Sequence, residues 1–258
     1  MEQVKKTLVI ARYTFLEMLK SKMLWNVGLL GAFIAVCTYV ASEFTFGVPT
    51  RVAIDLGLGS LSLSSYSIAI LIGIGLIRKE EDSRTIYLII SRPVSRTTFL
   101  VGKVLGLIFF LLLNLGLLCL LTIGVLLLLG GGVDPLIITA MAFSMLEATL
   151  LLCVVVLLSL MVNQAIALMV SVILLIAGHA MGEVLVSSFV ANRPWIKPII
   201  EFYHLVLPGF YRFNLKDFVL YQKQIPFQQI ALVLIYGICY SMGLITASAW
   251  VLNRKNLD

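Results

Sequence analysis

Long uncharged apolar runs, broken by short polar segments, set the pattern of this chain. Six runs reach the length of about 20 residues that a helix needs to cross a bilayer: 23–42, 56–77, 104–129, 136–162, 165–189 and 230–252. Alternating patterns of the kind that lipid-facing strands need are absent. Backbone groups in lipid must find partners within their own segment, so the runs predict helices. The pattern therefore predicts an all-α polytopic membrane protein with six transmembrane helices in a single domain over 1–258. The first run is as long as a full span and follows a long charged stretch, 1–22, so it is read as a span rather than a cleaved leader. The two three-span halves show no convincing internal repeat.

The polar segments add detail. Gly130-Gly131-Gly132 followed by Asp134-Pro135 predicts a tight turn. Asn163-Gln164 predicts a shorter one, so spans four and five should form an antiparallel hairpin. In residues 1–22, Val4, Leu8, Ala11, Phe15 and Met18 recur at helical spacing, flanked by Lys5, Lys6, Arg12 and Lys20. This is the pattern of a basic amphipathic helix lying in the headgroup layer. Segment 190–229 carries Pro194, Pro198, Pro208 and Pro226 and is rich in aromatic residues. It predicts short helices lying at the outer interface or re-entering it.

Composition narrows the class. Hydrophobic residues make up 60% and charged residues 12% of the 258, against roughly 45–50% and 25% in soluble domains. A water-soluble globule could not hide that surface, and disorder is equally excluded. The net charge of +6 fits basic flanks on anionic headgroups better than nucleic acid. Thirteen of the 19 basic residues fall at the two ends and in 78–103, which predicts that both termini and this segment are cytoplasmic, in the inner membrane. Cys37, Cys119, Cys153 and Cys239 all lie in apolar runs without metal-ligand spacing, and read as small packing residues.

Ionisable residues inside a membrane are costly unless paired or wet. Glu147 precedes the Asn163-Gln164 turn by almost the same stretch of chain as His179 follows it, so the two should reach the same depth and meet across the hairpin. Glu183 follows one turn beyond His179 on the same face. Two readings stand: a polar patch on a cargo path or proton-sensitive gate, or a bonded pair that fixes helix packing. Asn114 reads as an interhelical hydrogen bond. Gly102-x-x-x-Gly106 and Gly178-x-x-x-Gly182 read as close helix contacts, of the kind a dimer face can use.

Residues 78–103 read RKEEDSRTIYLIISRPVSRTTFLVGK and form the most charged stretch. Ile86, Ile89 and Ile90 give it a short apolar face, and Pro93 stops a helix. The segment predicts a short helix standing off the membrane, its charges able to orient a docked partner. Glu80, Asp82, Thr85, Pro93, Arg96, Gly102 and Lys103 stand in an order that resembles the E-x-E-x-G-T … P-x-S-R … G-K pattern of ABC-2 type transporter permeases, with Arg84 where that family has glycine. Ala11-Arg12 … Phe15 … Glu17 … Lys20-Ser21-Lys22 and Leu207-Pro208 … Phe210 … Phe213-Asn214 are similar to the family as well, so the resemblance spans the chain. It implies a coupling helix in 78–103, with Glu80, Asp82, Thr85, Pro93, Arg96 and Lys103 docking onto and shaping the contact with a separate ATPase. It further implies a homodimer of permeases with two ATPase copies, and movement of substrate outward. ATP and Mg would be bound by the partner. No G-x-x-x-x-G-K-[ST] loop occurs here, Gly102-Lys103 being followed by Val104. The chain is thus expected to be no enzyme and to hold no cofactor or metal of its own. The alternatives are an ion- or proton-coupled carrier using Glu147, His179 and Glu183, or an intramembrane enzyme using the same residues. The enzyme reading lacks H-E-x-x-H, and Glu80-Glu81 with Arg84 misses an E-E-x-x-x-R spacing by one residue.

Overall fold

The computed structural model describes residues 2–20, 28, 31–33, 36–37, 39–41, 44, 49–82, 95–128, 130–186, 195, 198, 207–221 and 226–254. Its elements are α1 (Glu2–Leu19), α2 (Pro49–Asp82), α3 (Arg96–Leu128), α4 (Pro135–Met161), α5 (Gln164–Val186), a 3-10 turn (Phe210–Phe213), α6 (Lys216–Leu220) and α7 (Phe227–Arg254). No strand occurs among the described residues. Helices α2, α3, α4, α5 and α7 each contain a stretch long and apolar enough to cross a membrane. The expected span 23–42 lies largely outside the described residues, although Gly31 within it packs against Leu118 and Leu121 of α3.

Helix α4 is the centre of the bundle. It is apolar all round and is the most buried of the five apolar helices. Leu150 through Val156 are all buried without a break, and α4 touches α2, α3, α5 and α7. Helices α5 and α7 sit on the outside, few of their span residues being fully buried. Cys119 and Cys153 are buried as expected, whereas Cys37 and Cys239 face outward. In α2, Ser60, Ser62, Ser64, Ser65 and Ser67 donate to carbonyls three or four residues back. Their hydroxyl protons are thereby used inside the helix, which makes a serine-rich span tolerable in lipid.

The turns follow local chemistry. At the end of α3, Gly131 donates to the Leu126 carbonyl and Gly130 to that of Leu127. Gly130 stands at φ +75°, the left-handed position this Schellman closure requires. Pro135 then opens α4 behind Asp134. At 162–163 the chain reverses sharply, Val162 donating to Leu158 and Asn163 accepting from Ala167.

Several sequence expectations need correction. Helix α2 runs on to Asp82 and α3 begins at Arg96, so helical structure enters 78–103 from both ends. Gly102 and Gly106 face α1 of the same chain, so the close helix contact expected of this pair is made within one chain. A Cβ at Gly102 would lie 2.9 Å from the Thr7 carbonyl oxygen, and one at Gly106 2.6 Å from that of Ala11. Gly178 and Gly182 likewise receive Phe210 and Tyr211. On α1, Ala11 and Thr14 are buried and Phe15 and Met18 of the stripe pack against the core, while Val4 and Leu8 stay exposed. Asn114 donates to Phe110 of its own helix, in place of the interhelical bond expected. At the exposed start of α1, the bond and charge of Lys6 at 2.9 Å hold the Glu2 carboxyl below its ordinary range. That support is present at neutral pH and is lost as the pH falls through the lowered value.

Candidate functional site

Three helices bring one polar group each to a single point near mid-span. Tyr66 lies at the middle of the apolar part of α2, Ile54–Leu76. Glu147 lies near the middle of α4, and His179 in the second half of α5. The hairpin at 162–163 holds α4 and α5 antiparallel, which sets the last two level. His179 Nε2 is 3.1 Å from Glu147 Oε1. The Tyr66 hydroxyl donates to the same Oε1 at 3.0 Å and stands 3.2 Å from His179 Nε2. Only 2% of the Glu147 side chain is exposed, against 29% for His179, so the imidazole is the open side of the group.

Hydrogen bonding fixes the proton arrangement. His179 Nδ1 is 3.1 Å from the Leu175 carbonyl. A carbonyl only accepts, so Nδ1 carries hydrogen. Nε2 and Oε1 then face each other with two lone pairs unless a proton lies between them. With one proton shared between them, the buried pair carries no net charge. Phe210 stacks on the imidazole, ring centroids 6.2 Å apart and planes within 8°. Tyr66 meets it edge-on at 5.7 Å. Gly178 leaves the room Phe210 needs, and the stretch that carries Phe210 is anchored where Gly209 donates to the Tyr236 hydroxyl of α7 at 3.0 Å.

A cavity of about 210 Å³ opens over the group. Ser62, Ser144 and Asn214 line it, and Lys216 stands at its mouth. The Lys216 ammonium pairs with Asp55 at 2.6 Å. Along α2 its lining runs from Tyr66 back to Leu58, roughly 12 Å, toward the Lys216–Asp55 pair. That is the end of the bundle opposite α1, which clasps the first turns of α3.

Glu183 lies on α5 one turn past His179, and its side chain is outside the described set. Of the residues in 78–103, Glu80 and Asp82 end α2 and Arg96 opens α3. Thr85 and Pro93 lie outside the described residues. Ser95 caps α3, accepting from the Thr98 amide, and Thr98 Oγ1 donates to Gln3 Oε1 of α1 at 3.1 Å. The Lys103 ammonium lies 5.2 Å from the Phe99 ring centroid. Arg96 and Lys103 stand at the α1 end of α3, away from the cavity. Sequence reasoning does not single out Tyr66, although the run Leu61-Ser62-Leu63-Ser64-Ser65-Tyr66-Ser67 marks α2 as the most polar span.

A comparison with curated proteins found no match. Residues 8–197, 190 of the 258, match the model of a family described as ABC-2 family transporter protein. The match takes in α1 through α5 and the segment between α2 and α3. The chain belongs to the ABC-2 family of transporter membrane proteins.

Proposed function

We propose that the chain is the permease subunit of an ATP-binding cassette transporter, driven by a separate ATPase. The family match carries this reading. In it the working unit is two permease copies and two ATPases in the inner membrane, with both termini cytoplasmic and export as the direction. The ATPase binds ATP and Mg and docks on 78–103 through Glu80, Asp82, Thr85, Pro93, Arg96 and Lys103. Support comes from α2, which continues as helix past its apolar stretch Ile54–Leu76 to Asp82, and from α3, which is helical from Arg96, so both helices enter that segment. A push there is delivered to two long levers, one of them clasped to α1. Because the glycine pairs are spent on contacts within the chain, a second copy would sit against the exposed faces of α5 or α7. The Arg96→Glu variant is expected to assemble with the ATPase yet to lose most of the substrate-stimulated ATP hydrolysis, read in reconstituted vesicles. Normal stimulation in that variant would remove Arg96 from the coupling contact.

A second reading, an ion- or proton-coupled carrier, draws on the Tyr66–Glu147–His179 group. It needs no ATPase, and substrate flux in vesicles without nucleotide separates the two.

A further inference from the structure

The polar cavity has a chemistry of its own. Ser62 and Ser144 spend their hydroxyl protons on the Leu58 and Ala140 carbonyls, so they turn lone pairs toward the space. The floor holds the Glu147 carboxyl, and its bonds to Tyr66 and His179 both end on Oε1. The Asn214 carbonyl oxygen already accepts the Lys216 amide. Asn214 therefore adds no free acceptor, and the acceptors of the cavity are the Ser62, Ser144 and Glu147 oxygens; a ligand with N–H donors and a positive charge suits those three better than an anion. The mouth already holds one such group. The Lys216 ammonium sits between Asp55 at 2.6 Å and Gly59, where a Cβ would come within 3.1 Å of Nζ. The missing side chain at Gly59 gives that ammonium its place.

We propose that this cavity binds a protonated amine in exchange for a proton. Among the described residues the titratable and charged groups that face it are Tyr66 from α2, Glu147 from α4, His179 from α5, and Lys216 paired with Asp55 at the rim. Without ligand, Glu147 and His179 hold one shared proton. An ammonium brings its own positive charge to the carboxylate, and the shared proton leaves to solvent through the exposed side of His179. The exchange is electroneutral: one cation enters, one proton departs, and no covalent bond changes elsewhere. Tyr66 makes the second state tolerable. Its hydroxyl is within reach of both Oε1 (3.0 Å) and Nε2 (3.2 Å). When the shared proton leaves, the hydroxyl turns to cap Nε2 and frees Oε1 for the ammonium. A bonded pair that only fixed packing would not need a donor reaching both acceptors, nor an opening above it.

The test uses the full chain purified in uncharged detergent, with methylammonium chloride as the probe and no ATPase or nucleotide present. Its outcome is therefore independent of the permease reading. Calorimetry in two buffers of different ionisation enthalpy should show one proton released per methylammonium bound. The apparent affinity should rise about tenfold per pH unit while the pair still holds its proton. Glu147→Gln removes the exchangeable charge and should weaken binding by about 30-fold or more. Ser144→Leu fills the cavity from its wall, leaves the three polar groups in place, and should abolish binding. It decides the matter if Glu147→Gln does not fold. Absence of binding to the unaltered chain, binding without proton release, or undiminished binding to a folded Glu147→Gln or Ser144→Leu variant would each overturn the proposal.

Discussion

Replacing Gly106 with leucine is expected to lift α1 off the bundle. Its Cβ would stand 2.6 Å from the Ala11 carbonyl oxygen and 2.7 Å from Thr14 Cβ. The first of these is backbone, so no rotamer change relieves it, and the rest of the leucine has nowhere to go. Overpacking of this kind costs about 1–3 kcal/mol, more than the ~0.8 kcal/mol that helix propensity returns on leaving glycine. The cheapest escape is for α1 to separate, which also breaks the bond between Thr98 and Gln3. Thr14→Cys reports this directly. Thr14 is 5% exposed, so a water-soluble maleimide should label the cysteine slowly in the parent and many times faster when Gly106→Leu is added. Equal rates would mean that α1 is not held by the glycine groove.

Glu147→Ala is expected to destabilise the bundle by about 1–3 kcal/mol, and Glu147→Gln by much less. Alanine removes the common partner of the Tyr66 hydroxyl and His179 Nε2 and leaves those two only the 3.2 Å contact with each other. Polar bonds between membrane helices average only ~0.6 kcal/mol, because the separated helices also find partners. With the Tyr66–His179 contact still available, the lost bonds give the smaller part of the effect, and the empty volume in a close-packed place gives the remainder. Glutamine keeps the shape and the acceptor for Tyr66, and its amide can donate to His179 Nε2. Unfolding in mild detergent, followed by labelling of the buried Cys153, gives the ordering. If alanine and glutamine behave alike, the group contributes little to packing. If glutamine is as stable as the parent yet transport is lost, the pair is there for function.

The meeting of Glu147 and His179 is legible from counting alone, because the short reversal at 162–163 fixes relative depth. Tyr66 is not legible in the same way. Depth along α2 can be counted, but nothing in the sequence says which helix stands beside α4 or how each is rotated. The cavity mouth depends on Asp55 meeting Lys216, far away along the chain. That contact needs the stretch before α7 to fold back over α2, and composition does not record its path. The apolar stripe of α1 packs inward only in part: Ala11, Phe15 and Met18 do, and Val4 and Leu8 do not. Lipid is as apolar as leucine, so in a membrane apolar character does not mark the buried side. Smallness marks it instead, and Ala11 and Thr14 against Gly102 and Gly106 are readable on that rule. The reach of α2 and α3 into 78–103 is hidden because charge ends a lipid-facing run without ending a helix.

The most direct test of the central claim is site-specific photo-crosslinking from position 85 of the full chain in its native membrane, paired with flux in vesicles. The account predicts crosslinking to a nucleotide-hydrolysing subunit of separate sequence, and transport only when that subunit and ATP are both present. Full transport by the chain alone, without nucleotide, would contradict it.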